Sequence, residues 1–198
     1  MSKKHRSTQI RQKQIIDAAQ SVIVKYGSEH VTIKRIAKEV GISEAAIYRH
    51  FKSKRDILSL MIDNIENTLI TDIEMKPAHK SFTRETLEGV FRHHISQIIQ
   101  RKGVSFQVIA EIISLGDKKL NGKVFAVIDN YTARIEDVLQ KGVKAGILRQ
   151  DIDLEAAAGL YFGMIQGLVN TWALSQYRYD LEKKYAPAWH IFLDAIVK

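Results

Sequence analysis

Lys34, Lys38, Tyr48 and Arg49 crowd a short segment with outward hydrogen-bond donors, and three of them are Lys or Arg. Groups of this kind hold phosphate oxygens and, where they reach into a groove, base edges. Ala45 is small enough to let a helix lie close to base pairs, and the Glu44 carboxylate can accept from cytosine N4. The chemistry open to such a set is the grip of a polyanion rather than the making of bonds. Charge placement agrees. Residues 1–58 hold thirteen Lys and Arg against five acids, which is the whole of the net +8; residues 59–198 balance to zero. Concentration of this sort marks an electrostatic footprint for nucleic acid or an anionic surface.

Other chemistries fare worse. The run Gly116-Asp-Lys-Lys-Leu-Asn-Gly122-Lys123-Val124 imitates a phosphate loop, but it is one residue too long and Val124 replaces the hydroxyl that would hold magnesium. His93 and His94 are neighbours, so on a helix they point about 100° apart. Neither has a His or acid four residues on. The chain has no cysteine, which removes thiolate metal sites and cysteine nucleophiles. No catalytic residue, metal site or cofactor is expected, and the chain does not read as an enzyme. No apolar leader core follows the basic start, which favours the cytoplasm.

The elements that must carry the donors are helices. Ile15, Ile16, Ala18, Ala19, Val22, Ile23 and Tyr26 recur at helical spacing and close on Gly27. Thr32, Ser43 and Ser53 can cap the next three helices, with Val31/Ile36 and Ile42/Ile47 at staple spacing and Asp56 three residues after Ser53. Gly41 supplies the turn between the second and third helices, and Ala37 lets them cross closely. Ile36, Val40, Ile42 and Ile47 form their expected shared core. Later helices are expected near 54–74, 83–102, 104–115, 118–145, 153–176 and 186–197, with a loop at 76–81. No useful stretch alternates with period two, so the fold class is all-α.

The segment from Thr32 through Ile36-Ala37, Gly41-Ile42-Ser43, Tyr48, His50-Phe51 and Lys54 to Leu58 resembles the DNA-binding signature of the TetR family of bacterial regulators. Arg11, Ile15, Ala18-Ala19 and Gly27 fit the helix before it, so the match covers about residues 11–58. The resemblance implies that Thr32, Tyr48, His50 and Lys54 hold the phosphate backbone. Lys34 would reach a base edge, with Glu44, Ala45 and Arg49 on the reading helix. Ala46 departs from the pattern, since many relatives place Thr or Ser there. Domains are then expected at 1–58 for DNA binding and 59–198 for ligand binding and dimerisation.

The family also implies a repressor that binds a palindromic or near-palindromic operator as a homodimer and leaves it when a small hydrophobic or aromatic effector binds. The alternative is a relative without a small-molecule inducer, answering to a protein or bound to DNA constitutively. Among large aromatics of the middle helices (Phe91, Phe106, Phe125, Tyr131, Tyr161, Phe162, Trp172), polar His94, Gln107, Gln166 and Asn170 are interleaved. Phe91, His94, Phe106, Gln107, Tyr131, Phe162, Gln166, Asn170 and Trp172 are the expected effector contacts. Gly159, Gly163 and Gly167 lie in an uncharged stretch at residues 156–174 at the spacing of close helix packing. Gln166, Asn170 and the alanine-rich start make it too polar for a compelling membrane span, so the glycines are assigned to a dimer interface.

Overall fold

The computed structural model describes residues 3–27, 30–73 and 82–198, with side chains from Thr8 onward. The expected loop at 76–81 and the basic side chains of Lys3, Lys4 and Arg6 lie outside that set. Among the described residues the regular elements are helices: α1 (Lys3–Tyr26), α2 (Ile33–Val40), α3 (Glu44–Tyr48), α4 (Lys54–Ile73), α5 (Arg84–Gln100), α6 (Val104–Leu115), α7 (Lys118–Lys144), α8 (Leu154–Leu174) and α9 (Leu181–Ile196). The all-α expectation is borne out. No helix among the described residues is long and apolar enough to cross a membrane.

Packing gathers the chain into two units. Met1–Ile65 joins Gln107–Phe125 in the first, and Glu66–Phe106 joins Ala126–Lys198 in the second. The boundary expected at residue 58 falls inside α4.

In the first unit, Ile15, Ile16, Ala18, Ala19, Val22 and Ile23 bury one face of α1. Gly27, at φ 93°, returns its N–H to Ile23 and ends the helix. Thr32 Oγ1 accepts from the Arg35 N–H at 3.2 Å and caps α2. Gly41 sits in the left-handed region at φ 76°, and both its N–H and that of Ile42 reach the Ala37 carbonyl at 3.0 Å. Ser43 Oγ caps α3 through the Ala46 N–H. Ser53 Oγ takes the Asp56 N–H, and Asp56 Oδ2 reaches back to the Lys52 N–H at 2.8 Å. Reciprocal pairing of this kind satisfies donors that a bare helix end would leave to water. Ile36, Ala37, Ile47 and Phe51 are buried between the turns, while Val40 and Ile42 are only half-buried.

In the second unit, α5, α7, α8 and α9 surround an aromatic interior. The last helix departs from expectation. It begins at Leu181, five residues before the expected Ala186, and holds Pro187 inside. Asp180 explains the early start, because its Oδ1 accepts from the N–H groups of Glu182 and Lys183. Leu181, Tyr185 and Trp189 then bury one stripe, while Pro187 faces outward. Burying that stripe outweighs the hydrogen bond that a proline forfeits.

Candidate nucleic-acid interface

The caps just described fix how α2 and α3 present their side chains. Thr32, Lys34, Lys38, Glu44, Ala45, Tyr48 and Arg49 are exposed, and His50 and Lys54 are half-buried. His30, Thr32, Lys34, Arg35 and Lys38 line a surface groove of about 450 Å³. Its charged lining is cationic. The Arg35 guanidinium lies 4.4 Å from the centre of the Tyr26 ring, which orients it by cation–π attraction. Its Nη1 is buried without a hydrogen-bond partner. Arg35 was not among the expected contacts, because its aromatic support comes from another helix.

An acid near this face is already committed. Glu39 accepts from Ser21 Oγ at 2.8 Å and from Lys25 Nζ, and the Lys25 bond followed by the Ser21 bond holds its carboxyl below the usual range. Glu44 stands exposed in the first turn of α3, where a base edge could reach it.

Lys54 has a second commitment. Its Nζ is 3.0 Å from Oε1 of Glu111, whose side chain is only 10% exposed. Arg55 pairs with Asp117 at 2.8 Å, and Lys123 bridges Asp63 and Ser59 Oγ. These ties cross about sixty residues of sequence, where no local pattern announces them. Removing Lys54 would strand a largely buried carboxylate, so a loss of DNA binding in Lys54→Ala would mix affinity with stability.

Tyr48→Ala is cleaner, since Tyr48 is 52% exposed. It is expected to weaken binding to all duplexes about equally. Lys34→Ala is expected to relax preference at one base pair by roughly 1–3 kcal/mol. Binding of both should fall steeply with salt, the logarithmic slope losing about one unit per phosphate-contacting cation removed. Titration of labelled duplexes at several salt concentrations checks all three. Equal loss on specific and random DNA in Lys34→Ala would sink its base-reading role.

The expected effector contacts divide. Phe91, His94, Phe106 and Tyr131 are fully buried, and Phe162 is half-buried beside them. Ring centroids lie 6.3 Å apart for Phe106–Tyr131 and Phe106–Phe162, and 6.1 Å for Tyr131–Phe162. Gln166 Nε2 donates to the Phe106 carbonyl at 3.3 Å and to Asn170 Oδ1 at 2.8 Å, leaving its own Oε1 buried and unpartnered. Trp172 stands apart: it packs edge-on against Tyr177 and donates to the Tyr179 carbonyl. Gln107 belongs to the first unit, and Phe125 is 72% exposed rather than part of the interior. Trp189, Phe192 and Tyr185 join the cluster through Tyr161, from a helix whose start the sequence hid.

His94 is the polar centre. Its Nδ1 is 2.9 Å from the Tyr161 hydroxyl and its Nε2 3.2 Å from that of Tyr131. A neutral imidazole donates through one nitrogen and accepts through the other, so one hydroxyl donates and its counterpart receives. Burial, with lesser contributions from His93 and Arg101, pushes the His94 pKa down to about 3. Burial likewise raises both tyrosines. A cavity of about 10 Å³ adjoins Phe106, lined also by Leu69, Asp72, Ile98, Arg101 and residues 103–105.

Gly159, Gly163 and Gly167 share an exposed face of α8, and a Cβ added at any of them meets nothing within 4 Å. Leu160 and Leu174 on the same helix, and Ile191 on α9, are 68%, 84% and 74% exposed.

Residues 15–61 match the family described as bacterial regulatory proteins, tetR family, and residues 61–195 match the YsiA-like protein, C-terminal region. The fatty acid metabolism regulator protein of Bacillus subtilis is 28% identical over 168 residues, 85% of this chain and 86% of that protein. The nucleoid occlusion factor SlmA of Serratia proteamaculans is 25% identical over 194 residues, 96% of each chain. The solved structure of the transcriptional regulator FadR from Bacillus subtilis in complex with stearoyl-CoA superposes with a TM-score of 0.73 at 26% identity. It covers 91% of this chain and 97% of that one.

Proposed function

Since the chain belongs to the TetR family and is a DNA-binding transcriptional regulator, we propose that it is a repressor released from its operator by an effector with a long apolar chain. The observation that carries this reading is the aromatic interior of the second unit with His94 at its centre. Apolar walls with a few fixed polar groups are what a small-molecule site requires. The similarity to a fatty acid metabolism regulator, and to a FadR solved with stearoyl-CoA, supports an acyl compound as the effector. Such a ligand must bind the DNA-free conformation more tightly, because equal affinity shifts nothing. The test is to select an operator from random duplex DNA and titrate its complex with acyl-CoA thioesters. Release at micromolar thioester supports the reading; unchanged DNA affinity overturns it.

A second reading is a regulator without a small-molecule inducer. It is favoured by the tight ring packing, by a cavity near Phe106 with room for about one water, and by likeness to SlmA along nearly the whole chain. Thermal stability indifferent to every acyl compound would select it.

The homodimer is proposed on the exposed glycine face of α8, a helix that also exposes Leu160 and Leu174, while α9 exposes Ile191. A twofold axis there would present two reading helices to a palindromic site in the cytoplasm. Because a Cβ added at Gly163 meets no described atom outside its own helix backbone within 4 Å, Gly163→Leu should leave the fold intact and reduce dimer content at micromolar concentration. Sedimentation of both proteins checks this; an unaltered dimer removes the interface.

A further inference from the structure

α2 carries four charged residues, and three of them are cations without a counter-ion. Lys34 and Lys38 stand four residues apart and Arg35 three before Lys38, spacings that set like charges beside one another on the helix. The one acid of α2, Glu39, is bonded instead to Ser21 and Lys25 of α1. Among the described residues no ion pair joins Lys34, Arg35 or Lys38 to a carboxylate. Their mutual repulsion weakens the helix, and an anion held among them relieves it. All three line the groove of about 450 Å³, together with His30 and Thr32. That volume holds far more than a water.

Arg35 is the member held in place. The Tyr26 ring, at the end of α1, lies 4.4 Å from its guanidinium carbon. Thr32 Oγ1 accepts the backbone N–H of Arg35 and fixes the turn that carries it. The guanidinium itself makes no hydrogen bond among the described residues, and its Nη1 is buried without a partner. A ring against the face of a guanidinium leaves the in-plane N–H fork to meet an oxyanion. Lys34 and Lys38, both exposed, add two ammonium groups, and the Thr32 hydroxyl still has its proton to donate. A fork, two point charges and a hydroxyl suit a phosphate diester. Thr32 and Lys34 also belong to the helix-turn-helix, so the groove continues the DNA face rather than standing apart from it. Independently of any effector, we propose that this groove seats a backbone phosphate of duplex DNA, that Arg35 grips it, and that Tyr26 is the residue that positions Arg35. The grip on DNA then reaches back from α2 to the end of α1.

The test titrates the full-length protein with its selected operator and with a random-sequence duplex at several salt concentrations. Arg35→Gln should weaken both duplexes alike by about tenfold, the loss expected of one charge-assisted bond. It should also lower the logarithmic salt slope by about one unit. Arg35→Lys keeps the charge without the fork, so the slope should stay while affinity falls. Tyr26→Leu should cost about threefold with the slope unchanged, and Tyr26→Phe, which keeps a ring, should bind as wild type does. In the Arg35→Gln background, Tyr26→Leu should cost nothing further. An unchanged slope in Arg35→Gln overturns the phosphate contact. Equal losses from Tyr26→Leu in both backgrounds would mean that the ring acts only on the fold, which overturns its positioning role. Calorimetry with inorganic pyrophosphate separates a free phosphate compound from DNA. Pyrophosphate binding abolished by Arg35→Gln, with DNA affinity and slope intact, would give the groove to a small anion and overturn the DNA assignment. Arg35→Lys and Tyr26→Phe are the conservative variants, so a misfolded Arg35→Gln would not hide the answer.

Discussion

Acidification from pH 6.5 to pH 4.5 should cost the protein roughly 2 kcal/mol of stability through His94 alone, at about 1.4 kcal/mol per pH unit once the unfolded imidazole is fully protonated. In the unfolded chain this imidazole titrates at its ordinary value of 6.5, whereas in the folded state burial lowers it to about 3. Between those values the unfolded chain binds one proton more, so stability falls as pH falls. The contribution is fully present above pH 6.5 and lost by about pH 3. Asp72, whose pKa is raised, works in the opposite sense, so the effect must be isolated by substitution. His94→Leu strands the Tyr131 and Tyr161 hydroxyls, at about 1–3 kcal/mol for each unsatisfied group, and should be much less stable at neutral pH. Its stability lacks the proton-linked loss, so the gap to wild type should narrow steadily toward pH 4.5. Urea unfolding at several pH values measures the gap. A constant gap would mean that His94 titrates normally and is not sealed in the aromatic interior.

Gly103→Ala should destabilise by about 2–4 kcal/mol, combining a left-handed backbone penalty with overpacking. Gly103 holds φ 60° and donates its N–H to the Ile98 carbonyl at 2.9 Å, which closes the α5–α6 corner. A Cβ there would lie 2.4 Å from Cγ1 and 3.3 Å from Cγ2 of Val169 on α8. These two costs separate experimentally. In a Val169→Ala background the collision is relieved, and the same substitution should cost only about 1–2 kcal/mol, the backbone share. A full cost in both backgrounds would place the α5–α6 corner away from Val169.

The local signals were the legible ones. Thr32, Ser43 and Ser53 cap the helices they were expected to cap, because each acts on an N–H group three residues away. α6 begins and ends where expected, bounded by two glycines at φ 60° and 64°. The start of α9 was hidden because Pro187 imitates a first-turn proline, while Asp180 and the burial of Leu181 and Tyr185 decide the boundary. Partners far along the chain were beyond reach. Nothing near His94 foretells hydroxyls 37 and 67 residues away, and nothing near Lys54 foretells Glu111. Interleaved polarity pointed to the aromatic interior but could not separate from it Trp172, which packs against Tyr177, or Phe125, which is 72% exposed, since helical spacing cannot say which of two neighbours a ring will meet.

The glycine row of α8 bears on how long the protein lasts in a cell. Each glycine in a helix interior costs about 1 kcal/mol relative to alanine, and here the three stand on one open stripe. A lone subunit therefore carries a helix with an unshielded ridge of backbone, prone to local opening. If a second subunit covers that ridge, the two share stability by mass action, and dilution weakens both. Amide exchange at residues 159–167 should then slow as protein concentration rises. Protease susceptibility should follow the same curve, so scarce copies of the regulator would be cleared faster than abundant ones.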